Sequence, residues 1–223
     1  MEKKFVPEIK GELRKHALEV PKVISQCSGI RIFGNRIKSV VFSTDAAIIR
    51  NINADAVIAV YPFTPQPAIT QALMTLSEKP VFAGVGGGIT TGHRVVSLAI
   101  QAEYQGAMGV VVNAPTQNET LQMLRRAVDI PIVVTVVSEN EDIQARLDAG
   151  ASILNVSGAG KTARIVAAIR EKFPTVAILA TGGPTEATIA ETIQAGANAI
   201  SYTPPTSAEL FKSLMETYRK EKE

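Results

Sequence analysis

Eight short apolar segments rich in valine, isoleucine and alanine recur along the chain, separated by segments in which apolar and polar residues follow a helical period. The apolar segments are nearly continuous, which is the pattern of strands that are buried on both faces. Strands that alternate with helices predict right-handed crossovers and a parallel sheet. The predicted strands are residues 39–43, 56–61, 80–85, 108–113, 131–137, 152–157, 176–181 and 199–203, and the clearest helical segments are 118–128 and 139–150.

The residues that precede the predicted strands also alternate. The third, fifth and seventh strands follow a proline, which suits a strand entry where no amide donor is needed. The even-numbered strands follow small residues, including Gly106, Gly150 and Gly196, which suit the ends of helices. A βαβα unit of roughly 45 residues is thus repeated four times. This repeat predicts an α/β fold, a (β/α)8 TIM barrel. An open doubly wound sheet is the alternative, although its edge strands would be less apolar than these eight.

Residues 1–38 precede the first predicted strand and form an N-terminal extension. We predict that residues 7–26 are largely helical and that a hairpin follows, turning at Gly34 and Asn35. This helix and hairpin are expected to cover the N-terminal mouth of the barrel. No linker composition separates the extension from the barrel residues 39–223, so the sequence predicts one domain for the whole chain.

Composition narrows the choice of partners and compartment. The formal net charge is only +2, which gives no electrostatic reason to expect a nucleic-acid partner. Cys27 is the only cysteine, so no intramolecular disulfide can form, and His16 and His93 are too few for a zinc site. The first residues lack the apolar core of a signal peptide, and no apolar segment is long enough to span a bilayer. We therefore expect a cytoplasmic protein without a membrane partner, and a homo-oligomer is left open.

Two consecutive glycines, Gly182 and Gly183, stand where the seventh predicted strand is followed by a helix. In TIM barrels the loops after the strands form the active face, and the last two of these loops commonly hold a phosphate. Glycine amides at a helix N-terminus can approach an anion closely because no side chain intervenes. These glycines therefore predict a phosphate-binding site. The alternative is that they only allow a tight turn.

The segment ILATGGPTEATIAETIQAGANAISY resembles the phosphate-binding end of the aldolase-type, ribulose-phosphate-binding barrels. That group includes ketohydroxyglutarate-type aldolases, sugar-phosphate epimerases and decarboxylases, thiamine-phosphate synthase and many flavin-dependent oxidoreductases. The likeness covers mostly the second half of the chain, from residue 131 onward. The group usually has a glycine-containing turn after the eighth strand, whereas this chain has Thr-Pro-Pro-Thr, whose prolines lack amide donors. Hydroxyl groups are expected to replace those donors. The predicted phosphate-binding residues are Thr181, Gly182, Gly183, Thr203, Thr206 and Ser207.

Other loops and strand ends carry glycines or polar residues that could contact a substrate. The glycine-dense loop after the third predicted strand suggests a close backbone approach to a ligand or a mobile lid. This loop and residues 99–117 also resemble the middle of the dihydrodipicolinate synthase family. That family's tyrosine and Schiff-base lysine have no counterparts, because Asn113 and Val156 lie near their positions. The predicted substrate-binding residues are Gly86, Gly87, Gly88, Asn113, Thr135 and Asn155.

Three titratable residues near the ends of predicted strands are the candidate catalytic groups. Asp45 follows the first strand, where it could act as a base, but it is equally suited to cap a helix. His93 begins a helix, where the dipole favours a neutral imidazole; the alternative is an exposed residue of the first turn. Lys161 follows the sixth strand and suits an anion contact better than an imine. Ser138 and Glu141, by contrast, predict a helix-capping box.

These features predict a phosphate-binding barrel that acts as a lyase or isomerase, of the aldolase or epimerase kind, on a small phosphorylated carbonyl or sugar compound. No cofactor is predicted for this function. One alternative is an FMN-dependent oxidoreductase, in which Gly182, Gly183 and the loop after the eighth strand would hold the FMN phosphate. The other is a ligand-binding or regulatory barrel without catalysis, which the two prolines and the absence of a strand-end lysine favour.

Overall fold

The computed structural model describes residues 5, 7–9, 11 and 18–221, and its central feature is a closed barrel of eight parallel strands. Neighbouring barrel strands pair in chain order, and the last strand pairs with the first to close the barrel. The predicted TIM barrel is therefore confirmed, and the open sheet is excluded. The strands are β1 (Ile30–Ile32) and β2 (Asn35–Ile37), which form a separate hairpin, and the barrel strands β3 (Ser39–Phe42), β4 (Ala56–Ala59), β5 (Val81–Gly86), β6 (Gly109–Val112), β7 (Ile132–Val136), β8 (Ile153–Val156), β9 (Ala177–Thr181) and β10 (Ala199–Tyr202).

A helix follows each barrel strand, as the alternating pattern predicts. Each of the eight apolar segments overlaps one barrel strand, so all eight strand predictions are confirmed. No helix among the described residues is long and apolar enough to cross a membrane. The helices are α1 (Ala46–Asn51), α2 (Pro67–Leu76), α3 (His93–Tyr104), α4 (Asn118–Ala127), α5 (Ile143–Ala149), α6 (Thr162–Lys172), α7 (Glu186–Gln194) and α8 (Ser207–Lys220).

Side chains on each barrel strand alternate between the barrel interior and the layer beneath the helices. On β3, Val40 packs inside the barrel and Val41 packs beneath the helices. On β6, Val111 packs inside, whereas Val110 and Val112 pack beneath the helices. Both faces of these strands are apolar, which explains why the sequence shows continuous apolar runs instead of an alternating pattern.

The hairpin β1–β2 closes the N-terminal mouth of the barrel. Its side chains Ile32 and Ile37 are 6% and 2% exposed and pack in the same cluster as the interior residues of the barrel. The hairpin turns at Phe33 and Gly34, which have φ of 45° and 85°, one position earlier than predicted. Two positive φ values match the twist of a two-residue hairpin. The predicted cover for this mouth is therefore present in the form of the hairpin.

The predicted helix over residues 7–26 lies only partly within the described residues. Residues 10 and 12–17 of this segment lie outside the described residues. In the described part, the helical residues are a short 3-10 helix at Lys22–Gln26, which lies beside α7 and buries Ile24. The described residues 7–9, 11 and 18–21 are not helical, so the prediction is wrong at these positions, and Pro21 has a ψ of 130°, outside the helical range.

The capping box predicted at Ser138 and Glu141 is wrong, because α5 begins later. Its N-cap is Asp142, whose carboxylate accepts a hydrogen bond from the amide of Ala145 at 3.0 Å. Glu141 instead lies 3.4 Å from the guanidinium of Arg146. Burial raises the pKa of the Glu141 carboxyl, and the nearby Arg146 opposes this effect. Asp142 is an equally good cap, and the sequence alone did not distinguish the two.

Candidate active site at the C-terminal mouth of the barrel

The interior of the barrel changes from apolar to polar toward the C-terminal ends of the strands. On β7, Val133 packs in the interior cluster, and Thr135, two residues further on, lines a pocket at the mouth. On β8, Ile153 is followed in the same way by Asn155. A spacing of two residues keeps both side chains on the same face of a strand. Strands β9 and β10 make the same change, so one polar surface runs across adjacent strands.

This polar surface forms one side of a cavity of about 250 Å³, which we call the mouth pocket. The opposite side is apolar and comes mainly from β3 and β4. We call the polar side the polar arc; it consists of Asn113, Thr135, Asn155, Ser157, Thr181, Ser201 and Thr203. We call the apolar side the apolar wall; it consists of Phe42, Ile58, Val60 and Val111.

Hydrogen bonds within the polar arc leave one buried atom without a partner. The side-chain amide of Asn155 donates to the hydroxyl of Thr135 at 3.3 Å, across the register in which the two residues pair. Thr181 donates to the hydroxyl of Ser157 at 3.3 Å. The Oδ1 atom of Asn155 is buried and has no hydrogen-bond partner. Buried polar atoms normally have partners, so this atom indicates a place where a ligand group can bind.

The residues that line the mouth pocket are electrically neutral: none is Asp, Glu, His, Lys or Arg. Among the described residues, no group of three or more His, Cys, Asp or Glu could hold a metal ion. The pocket offers hydroxyl and amide groups, which are weak ligands for Mg²⁺ compared with carboxylates. The arrangement therefore suits recognition of carbonyl and hydroxyl groups.

Gly182 and Gly183 each meet a structural requirement for glycine. A Cβ atom on Gly182 would lie 2.7 Å from Ile189 and 2.9 Å from Ile200, so a side chain there would displace core residues. Gly183 has φ of +81°, and a Cβ atom on it would lie 2.7 Å from the hydroxyl of Thr188. The tight turn that we gave as the alternative is therefore real. It does not exclude anion binding, since both requirements concern the side-chain position and not the amides.

The amides of the two glycines are available to a ligand. Neither the N–H of Gly182 nor that of Gly183 has a hydrogen-bond acceptor among the described residues. Strands β9 and β10 pair with Ser201 opposite Thr181, so the loops that carry Gly183 and Thr203 begin at neighbouring strand ends. Gly183 is also exposed to solvent. Gly182 and Gly183 line a separate cavity of about 270 Å³, and Thr181 lines both that cavity and the mouth pocket.

The other two predicted phosphate-binding residues already bond to carboxylates. The amide and hydroxyl of Thr206 donate to Glu209 at 2.7 and 2.9 Å, and together they form the capping box of α8. The hydroxyl of Ser207 donates to Asp45 at 2.5 Å. The bonds from Thr206 lower the pKa of the Glu209 carboxyl, so that residue is an anion at neutral pH. A phosphate near Thr206 and Ser207 would meet these negative charges, and their role as phosphate ligands stays a prediction.

Asp45, His93 and Lys161 are not brought together. Asp45 caps α1 by accepting hydrogen bonds from the amides of Ala47 and Ile48 at 2.8 and 3.2 Å. The bond from Ser207, with those from the two amides, lowers the pKa of the Asp45 carboxyl. His93 is the exposed first residue of α3, and Lys161 is the exposed last residue of a 3-10 helix after β8. None of the three lines the mouth pocket, and their catalytic roles stay predictions.

The glycine-dense loop after β5 lines a second cavity of about 270 Å³, which we call the glycine pocket. The loop after β4 forms its other side, with Tyr61 and Phe63. Val60 and Asn113 line both this cavity and the mouth pocket. Of the predicted substrate-binding residues, Asn113, Thr135 and Asn155 therefore meet in the mouth pocket, and Gly86, Gly87 and Gly88 lie in the adjoining glycine pocket.

Six residues that line the mouth pocket were not among the predicted site residues: Phe42, Ile58, Val60, Val111, Ser157 and Ser201. The period of two could have identified the serines, since Ser157 lies two residues beyond Asn155 and Ser201 lies two before Thr203. Both serines lie within the apolar runs 152–157 and 199–203, where a single small polar residue does not change the strand pattern. Phe42 belongs to the first apolar run and is 40% exposed at the mouth.

No family model matches the chain, and no curated protein matches its sequence. Solved structures do match its fold. The 2,3-dimethylmalate lyase of the PEP mutase/isocitrate lyase superfamily has a TM-score of 0.64 and 14% identity, over 90% of this chain and 85% of that one. Phosphonopyruvate hydrolase in complex with oxalate and Mg²⁺ has a TM-score of 0.63 and 14% identity, over 83% of this chain and 82% of that one.

A third structure is the 4-hydroxy-tetrahydrodipicolinate synthase of Methylacidiphilum fumariolicum SolV, with a TM-score of 0.60 and 15% identity over 78% of this chain and 69% of that one. The structural neighbours are thus PEP mutase/isocitrate lyase and aldolase-type TIM barrels, and the chain shares their fold. At these identities the likeness establishes architecture alone.

Proposed function

We propose that the protein is a lyase or isomerase that acts on a small phosphorylated carbonyl compound. The reacting carbons would lie in the mouth pocket, and the phosphate would lie beside Gly182, Gly183 and Thr203. The observation that carries this proposal is the polar arc at the C-terminal mouth, which includes the unpartnered Oδ1 of Asn155. The C-terminal ends of the strands form the active face of TIM barrels. The lyase-type names of the structural neighbours support the reaction class.

The polar arc suits the stabilisation of a charge that develops on a carbonyl oxygen. Both C–C bond cleavage next to a carbonyl and isomerisation of a carbonyl compound pass through an enolate, whose oxygen carries negative charge. The hydroxyls of Thr135 and Ser157 accept hydrogen bonds within the polar arc and keep their own protons for a ligand. The side-chain amide of Asn113 is a further donor in the pocket. Such preorganised donors in a partly buried site stabilise the transition state more strongly than water does. Proton transfer is assigned to none of these neutral groups.

The phosphate would bind through backbone amides and hydroxyls and not through charged side chains. The free amides of Gly182 and Gly183 precede α7, whose N-terminal end carries partial positive charge. Thr181 lines both the mouth pocket and the cavity that Gly182 and Gly183 line, and Thr203 lines the mouth pocket. A substrate could therefore reach from the anion site into the mouth pocket.

The phosphate site is tested by comparing Gly183→Asp with Gly183→Asn. Both substitutions crowd Thr188 and place a side chain at a residue with positive φ, but only the aspartate carries a charge. Two unit charges about 4 Å apart repel by roughly 4 kcal/mol at an effective dielectric of 20. We therefore expect Gly183→Asp to abolish binding of inorganic phosphate and glycerol 3-phosphate, measured by isothermal titration calorimetry, while Gly183→Asn retains most of it. Equal affinities in the two variants would show that no phosphate binds at this turn.

A second candidate function is a ligand-binding barrel without catalysis. The neutral lining of the mouth pocket favours it, because no titratable group there can transfer a proton. The two functions differ in proton exchange. An enzyme that forms an enolate from dihydroxyacetone phosphate exchanges the substrate's carbon-bound protons with D₂O, which proton NMR follows directly. Binding of this compound without exchange above the buffer rate would favour the binding function. A yellow purified protein would instead favour the FMN-dependent alternative.

A further inference from the structure

We infer that the glycine pocket is a second binding subsite, which holds a planar apolar or aromatic group at one end of the substrate. The inference rests on the proposed function only for placing the reacting carbons in the mouth pocket. The glycine pocket lies between the loop after β4 and the loop after β5. It adjoins the mouth pocket at Val60 and Asn113, which line both cavities. One molecule can therefore occupy both.

Two apolar side chains stand exposed on opposite loops of this pocket. Phe63, on the loop after β4, is 73% exposed, and Ile89, on the loop after β5, is 88% exposed. Both line the cavity, with Pro62 and Pro65. An apolar group between them would remove apolar surface from water on both sides, which is the main driving force of association.

Two of the three polar side chains that line the glycine pocket, Tyr61 and Thr90, make hydrogen bonds within the protein. Thr90 is 2% exposed, and its hydroxyl donates to that of Thr64 at 3.5 Å. The hydroxyl of Tyr61 accepts a hydrogen bond from the amide of Gln66 at 2.8 Å. Only Asn113, at the border with the mouth pocket, adds an amide. The side chains left exposed around the cavity, Phe63 and Ile89, are apolar, so an apolar ligand group fits between them, whereas the group in the mouth pocket is polar.

The floor of the pocket is peptide backbone, which suits a flat group. Gly84, Gly86, Gly87 and Gly88 line the cavity without side chains. At Gly87, φ is +115° and a Cβ atom would lie 2.5 Å from Cβ of Asn113, so only glycine fits. The amide of Gly87 also donates to the carbonyl of Thr90 at 3.0 Å, which holds the loop in a narrow turn. A planar ring can lie against these peptide groups.

The test uses indole as a probe of the apolar subsite, with binding followed by NMR shifts of the backbone resonances of residues 84–88. We expect saturable binding, and at least a tenfold loss of indole affinity in the double variant Phe63→Ser/Ile89→Ser. Phe211→Ser is the control, because Phe211 is 67% exposed on α8, far from the pocket in sequence and outside its lining. All three positions are exposed, so the variants are expected to fold, which their melting temperatures check.

The subsite would be overturned if the double variant bound indole as tightly as the original protein does. A loss of indole binding in the Phe211→Ser control would overturn it as well. A second titration, with glycerol 3-phosphate present, separates the two proposals. The subsite predicts that indole and glycerol 3-phosphate bind together, and competition between them would overturn it. If indole binds as expected and neither glycerol 3-phosphate nor inorganic phosphate binds, the subsite stands and the phosphate part of the proposed function fails. If the phosphate compound binds and indole does not, the subsite alone is wrong.

Discussion

The two mouths of the barrel are built from the same eight strands, but they differ in composition. At the N-terminal mouth, Ile32 and Ile37 of the hairpin complete an apolar cluster, and the barrel is closed. At the C-terminal mouth, the same inward positions carry hydroxyls and amides around an open pocket, and one buried oxygen, Oδ1 of Asn155, has no partner. The N-terminal mouth is therefore optimised for stability, whereas the C-terminal mouth keeps unsatisfied polar groups, as sites for ligands do.

The largest change in stability is expected from a substitution that creates a cavity at the closed N-terminal mouth. Ile37→Ala removes a side chain that is 2% exposed and leaves a cavity between the hairpin and the barrel interior. Substitutions of this kind lower the free energy of unfolding by about 2–5 kcal/mol. Urea unfolding measures the change, and Ile89→Ala at an 88% exposed position is the matched control, expected to change stability by less than about 0.5 kcal/mol. Similar losses in both variants would contradict the assignment of the hairpin as the seal.

At the open mouth, we expect a substitution that raises the free energy of unfolding instead of lowering it. Asn155→Leu removes the buried oxygen without a partner and is expected to raise the free energy of unfolding by about 1 kcal/mol, since an unsatisfied buried polar atom costs about 1–3 kcal/mol. The same variant should lose affinity for glycerol 3-phosphate in calorimetry. Asn140→Leu is the control, because Asn140 is exposed and lies outside the pocket lining. A destabilised Asn155→Leu variant would show that the amide is structural and would remove the contrast between the two mouths.

The smallest effect on stability is expected at Asp45, which caps α1 at the C-terminal end of the barrel. Hydrogen bonds from Ser207 and the first turn of α1 hold the pKa of its carboxyl below the usual 3.8. The carboxylate therefore contributes stability above about pH 4, and this contribution is lost as the pH falls through the lowered pKa. Asp45→Asn keeps a capping side chain and removes the charge. We expect it to lower the free energy of unfolding at pH 7 by about 0.5 kcal/mol, after solvent screening, with the difference shrinking as the pH falls through the lowered pKa. Urea unfolding over a series of pH values checks this, and a difference that does not change with pH would contradict the role of the charge.

The sequence predicted the barrel because its strands are buried on both faces, and continuous apolar runs such as 131–137 have few other interpretations. It predicted the positions of Asn113, Thr135 and Asn155 for a related reason, since a polar residue at the end of an apolar strand stands out. It did not predict which hydroxyls are free. Thr206 and Ser207 looked like phosphate ligands, yet Glu209 and Asp45 already bind them. The bond between Ser207 and Asp45 joins positions 162 residues apart, and no local pattern encodes such a contact.

The pairing of β10 with β3 has a consequence for the way the chain is made. Strand β3 leaves the ribosome early, but its partner β10 follows only after almost the whole barrel has been synthesised. At translation rates of about 5–20 residues per second, β3 waits on the order of ten seconds with one edge unpaired. An unpaired apolar edge can pair with the same strand of another nascent chain. The barrel can therefore close only after the final strand has been synthesised. A chain truncated before β10 would keep the edge of β3 unpaired and would be prone to aggregate.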